Sequence, residues 1–147
     1  MQVEVLTKAT DEAVEALARL LPQLSRSAAQ LDQPGLARIV ESEASTLLIA
    51  RTGGVITGVL TLVMFDIPTG RRAWIEDVVV DGAAGRQGIG TALTLEAIRI
   101  AREAGVRTVD LSSRPARVAA GRLYEKLGFH IRDTRMYRFP LDGPAGS

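Results

Sequence analysis

The 147-residue chain has no cysteine and a single histidine, His130. Those two counts exclude a disulfide framework, a thiolate metal site, a cysteine nucleophile and a multi-histidine metal centre, so no metal is expected. Excess charge is also lacking: 18 Lys and Arg against 17 Asp and Glu leave a net charge of +1. A balance so close to zero gives no global electrostatic reason to bind nucleic acid or a membrane surface. No apolar run approaches the length of a membrane span, and the first ten residues, MQVEVLTKAT, lack the apolar segment of a signal peptide. From these absences the expected location is the cytoplasm.

What is present is ordinary for a globular protein: 46% hydrophobic and 24% charged residues. The length suits one core. The expected organisation is a single domain over residues 1–141, with 142–147 as a disordered Gly/Pro tail. QVEVL near the start alternates like a strand. Thr10 and Asp11 can cap a helix over EAVEALARLL, which Pro22 interrupts. A short helix follows over 34–43. STLLIA and VITGVLTLVMF read as strands joined at Thr52-Gly53-Gly54. A fourth strand is expected over 73–80 and a helix over 88–103, stopped at Gly105. A buried strand over 109–112, a helix from Pro115 to Leu127-Gly128, and one or two strands in FHIRDTRMYRFPL complete the pattern. Antiparallel strands first and β-α crossovers later indicate a mixed, mostly antiparallel α/β (α+β) sheet flanked by helices.

The densest signal is DGAAGRQGIGTAL, residues 81–93, with four glycines between a strand and a helix. Glycines at such a junction suit close backbone approach to a ligand, and a helix N-terminus offers N–H groups to an anion. An ATP-binding loop would need a lysine where Thr91 follows Gly90. A dinucleotide fingerprint starting at Gly88 would place its third glycine at Leu93, and on a first strand, not a fourth. A glycine-rich turn without a ligand is the remaining plain reading.

WIEDVVVDGAAGRQGIGTAL resembles motif A of the GNAT superfamily of acetyl-CoA-dependent N-acetyltransferases, whose loop is Q/R-x-x-G-x-G/A. Gly88 and Gly90 match its small positions, while Gly85 stands where Gln or Arg is usual. ARVAAGRLYEKLGF resembles motif B, N-x-x-A-x-x-L-Y-x-x-x-G-F, at Ala120, Leu123, Tyr124, Gly128 and Phe129, with Arg117 at the asparagine position. The two segments span about two-fifths of the chain. The resemblance implies a GNAT-like domain with splayed fourth and fifth strands and acetyl-CoA as co-substrate. It implies pyrophosphate binding at Gly85, Arg86, Gln87, Gly88, Ile89, Gly90 and Thr91, and a thioester site on main-chain groups of Val78, Val79 and Val80. It also implies that Tyr124 is the acid that protonates the leaving thiolate.

For a base, Glu76 and Asp77 lie on the same strand, and simple alternation puts Glu76 with Val78 and Val80 and Asp77 with Ile75 and Val79. Glu76 is accordingly the expected base. His130, Ser112, Ser113 and the arginines of TGRR are expected in structural or surface roles. In the family the acceptor pocket involves the first two helices and the last strands, here around 25–32 and 133–135. No aromatic cage or acid cluster marks the amine there. The leading expectation is a small-molecule amine acceptor. A protein N-terminus or lysine, and a non-catalytic acetyl-CoA-binding module, are the alternatives, and homodimer formation is left open.

Overall fold

The structure, a computed structural model, describes residues 1–27, 29–85 and 87–142. The chain divides into two compact units, Met1–Ser112 and the residues from Ser113 onward. In the first unit, β1 (Gln2–Val5) leads to α1 (Asp11–Leu24) and α2 (Gln33–Glu41). The Thr10 hydroxyl accepts from Ala13 N–H at 3.2 Å, and the Asp32 carboxylate accepts from Gly35 N–H at 2.8 Å, so each helix starts at a side-chain cap. Ala13, Ala16, Leu17 and Leu20 make the buried stripe of α1. Pro22 does not end this helix, contrary to expectation. It falls in the last turn, where little helix remains to be disrupted, and the helix closes with Ser25 N–H on Leu21 C=O at 3.0 Å.

Strands β2 (Ser45–Thr52) and β3 (Val55–Ile67) form the expected hairpin. Its two-residue turn has φ of +58° at Gly53 and +83° at Gly54, the positive values such turns demand. β4 (Gly70–Val80), α3 (Ile89–Glu103) and β5 (Thr108–Asp110) follow. The sheet order is β1-β2-β3-β4-β5, antiparallel throughout except between β4 and β5. That last ladder covers only Arg72–Thr108, Ala73–Val109 and Trp74–Asp110. β4 runs six residues further without it, which is the splay that was expected.

The register of β3 and β4 shifts once, and the shift corrects the alternation argument. Glu76 pairs with Thr61 and Val79 with Val59, whereas Ile75 pairs with Leu62 and Val80 with Gly58. One extra residue therefore sits in β4 opposite Leu60, and Asp77 has a φ of +51°. This is a β-bulge, and beyond it the two faces of the strand exchange. Glu76 shares its face with Val79, not with Val80.

Each face of the sheet has its own core. Val59 and Val79 pack with Ala13, Leu17, Leu20, Leu36, Leu47 and Ile49 under α1 and α2. On the opposite face Gly58 lies under α3, close enough that a Cβ would come within 2.8 Å of Ile89 Cγ2 and 3.1 Å of Leu93 Cδ1.

In the second unit, α4 (Val118–Lys126) is followed by Gly128 at φ +106°. The strands expected in 129–141 are not formed. Tyr137, Phe139 and Leu141 alternate as a strand would, but they are 88%, 85% and 91% exposed. Alternation marks a face suited to burial, while a strand also needs a neighbouring edge for its N–H and C=O groups, and no such pairing is made among the described residues. Among the described residues no helix is long and apolar enough to cross a membrane.

Candidate active site

β4 delivers the chain to the glycine stretch. Asp81 N–H still bonds to Thr57 C=O at 2.8 Å, and a single 3-10 turn, Gly82–Ala84, begins immediately after it. Gly85 has φ +69° and ψ −160°, and Gly88, the residue before α3, has φ +73° and ψ +20°. Both conformations favour glycine. No side chain caps α3, so its first N–H groups are presented by a left-handed residue followed by a right-handed helix, a concave arrangement suited to anions. A Cβ at Gly85 or Gly88 would meet no protein atom within 4 Å, so the space beside both is open. The backbone thus fits a pyrophosphate. Ile89 is buried and packs toward Gly58, so it offers only its main chain, while Gln87 is exposed. Arg86 lies outside the described residues.

Glu76 is exposed on the α1–α2 face, two residues before Val78. Val79 is 5% exposed and belongs to the core, so Val78 to Val80 can serve a ligand only through main-chain groups and the flanking half-buried side chains. These residues and the loop occupy one continuous stretch of the first unit.

Tyr124 belongs to the second unit. Its ring meets Phe129 edge-on, with centroids 5.7 Å apart at 67°, and Phe129 N–H bonds to Tyr124 C=O at 3.0 Å. Burial pushes the phenol above the usual tyrosine pKa, partly opposed by the positive charge of Arg117. The phenol therefore keeps its proton at neutral pH, as a general acid must.

A cavity of about 280 Å³ lies beside α1, lined by Leu17, Ala18, Leu21 and Pro22 of the helix and by Ala29 to Leu31. The arginines of TGRR are surface charges: Arg71 pairs with Asp66 at 2.9 Å and Arg72 bonds to Thr69 and Thr108 hydroxyls. His130 is exposed in the strandless segment, and Ser112 and Ser113 are exposed too. Among the described residues no group of three or more His, Asp or Glu is placed to hold a metal.

Two residues that grip the loop's start, Arg19 and Gln23, were not singled out from the sequence. Arg19 Nη1 donates to Asp81 Oδ2 at 2.6 Å, and Gly82 N–H donates to Gln23 Oε1 at 3.0 Å. Their spacing of four puts Arg19 and Gln23 on one side of α1. Nothing local in the sequence reveals a partner about 60 residues away.

A mixed sheet with a splayed fourth strand, a bulge, and a glycine cradle at the next helix defines an acyl-CoA-type transferase fold. The chain belongs to the acetyltransferase (GNAT) family, whose pattern matches residues 11–129. It is 40% identical over 73 residues to N-alpha-acetyltransferase 30 of Xenopus laevis, a match covering 50% of this chain and 26% of that protein. The matched stretch thus spans about a quarter of that relative's length. Among solved structures, a transcriptional regulator from Bacillus halodurans C-125 superposes with a TM-score of 0.79 at 28% identity, over 94% of this chain and 99% of the other. An aminoglycoside acetyltransferase from an uncultured soil metagenomic sample superposes with a TM-score of 0.83 at 20% identity, over 95% of each chain. At that identity the second likeness is one of fold alone.

Proposed function

We propose that the protein transfers the acetyl group of acetyl-CoA to a primary amine of a small molecule by direct attack. The observation that carries this reading is the uncapped start of α3 behind Gly88, next to open space and at the end of the strand that loses its β5 partner. In the reaction, the amine nitrogen bonds to the thioester carbonyl carbon, the carbon–sulfur bond breaks, and the products are an acetamide and coenzyme A. Glu76 accepts the amine proton, directly or through one water, and Tyr124 gives its proton to the leaving thiolate. Main-chain N–H groups around Val78 to Val80 steady the carbonyl oxygen, a contribution typically of about 3 kcal/mol. Gly85 to Thr91 hold the pyrophosphate.

A small acceptor is in keeping with the cavity of about 280 Å³ beside α1, which lies in the 25–32 region where the family resemblance expects the acceptor side. The similarity to N-alpha-acetyltransferase 30 favours a second reading, in which the acceptor is the α-amine of a peptide. One screen separates these: release of free thiol from acetyl-CoA, followed with small amines, amino acids and short peptides. Turnover with peptides alone would select the second reading. Silence with every class, while acetyl-CoA still binds, would leave a non-catalytic acetyl-CoA-binding module.

A further inference from the structure

We propose that Arg19 and Gln23, on α1, are positioning residues that hold the start of the pyrophosphate loop in its binding shape; this rests on the acetyl-CoA reading above. The geometry is a five-point strap. The Arg19 guanidinium bridges two places, Asp81 Oδ2 at 2.6 Å and Ile56 C=O at 2.9 Å. One turn later the Gln23 amide both gives and takes: Nε2 donates to Asp81 Oδ1 at 3.4 Å and Oε1 accepts Gly82 N–H at 3.0 Å. Asp81 passes the hold forward by accepting Ala83 N–H at 3.1 Å. The Ala83 amide, and after it Gln23 and Arg19, keep the Asp81 carboxyl below the usual aspartate range, against the opposing effect of burial.

A partly exposed ion pair of this kind adds little to overall stability. Its position gives it another effect. The segment it grips carries Gly82 and Gly85, and glycines surrender more backbone freedom on ordering than any other residue. A ligand that binds through main-chain amides must bear the cost of ordering them unless the protein has done so already. Arg19 and Gln23 do this in advance and tie the loop to α1.

The strap acts on the pyrophosphate end of the cofactor only, and this separates it from a general structural role. In calorimetry, Arg19→Met should bind coenzyme A about tenfold more weakly, the scale of one or two lost ordering contacts. Arg19→Lys keeps the charge but cannot fork to both Asp81 and Ile56, and should recover part of the loss. Affinity for acetyl-pantetheine, which has no pyrophosphate, should not change in either variant. In turnover the loss should appear in KM for acetyl-CoA and not in kcat. Gln23→Met, which keeps the helix and removes the Gly82 contact, should show the same split and serves if Arg19→Met does not fold. Equal coenzyme A affinity in the folded variants, or an equal loss for both ligands, would overturn the strap. Failure of the wild-type protein to bind coenzyme A would instead overturn the acetyl-CoA reading, and the strap with it.

Discussion

The bulge at Asp77 makes a quantitative prediction because its residue is exposed, so burial terms drop out and the backbone decides. At φ +51° an ordinary L-residue costs about 1–2 kcal/mol over its right-handed form, less for Asp and Asn and more for β-branched side chains. Asp77→Val should therefore destabilise the fold by about 1–2 kcal/mol. Asp77→Asn should be neutral. Asp77→Gly should also come out near neutral, because relief of the left-handed cost is offset by about 0.4–1 kcal/mol of added unfolded-chain entropy. Urea titration reads this directly: the valine midpoint falls at unchanged slope, and Tm drops by roughly 2–8 °C for a chain of this size. If valine instead expels the extra residue, every side chain on one side of the bulge changes face, and turnover falls far more than stability. A valine variant as stable and active as wild type, beside a destabilised glycine variant, would refute a left-handed bulge at this position.

Gly58→Ala should cost about 1–3 kcal/mol, since its Cβ would press on Ile89 at 2.8 Å and Leu93 at 3.1 Å in a filled core; a wild-type urea midpoint would mean that α3 stands off the sheet. Tyr124→Phe should lower kcat by about 10² or more with acetyl-CoA affinity nearly intact. Because burial raises this phenol's pKa, the wild-type alkaline loss of rate should lie above the ordinary tyrosine range, and a near-wild-type kcat in the phenylalanine variant would assign the proton to another donor. Glu76→Gln should depress turnover most at neutral pH, where aliphatic amines are protonated, and recover as pH rises toward about 10. A constant ratio of wild-type to variant rates across pH would leave Glu76 a positioning residue.

Local signals carried much of this molecule. Thr10, Gly53-Gly54 and Gly105 act through bonds and dihedrals within a few residues, so the elements they bound were legible. The turn at Gly88 was legible for the same reason, since a helix start after a glycine constrains its own amides. The bulge was not, because a strand's phase depends on its partner. WIEDVVV alternates plausibly by itself, and only pairing with Leu60 exposes the extra residue. Tyr137, Phe139 and Leu141 fail in the converse way, with strand periodicity but no ladder partner among the described residues. Arg19 and Asp81 illustrate the third limit: two polar residues 62 positions apart meet only when the sheet brings α1 over the end of β4.

The short ladder between β4 and β5 has a further consequence, for handling the protein without its substrate. Past Trp74, the β4 edge is a stretch of strand that β5 does not cover, in a segment rich in valine. Edges of that sort are templates on which foreign strands can add, and proteins usually blunt them with charge, proline or a covering element. An amide-containing ligand lying along it, as proposed for acetyl-CoA, would serve as such a cover and would guard against association. Storage with coenzyme A should then slow aggregation more than its effect on the melting temperature accounts for, with the excess growing as protein concentration rises.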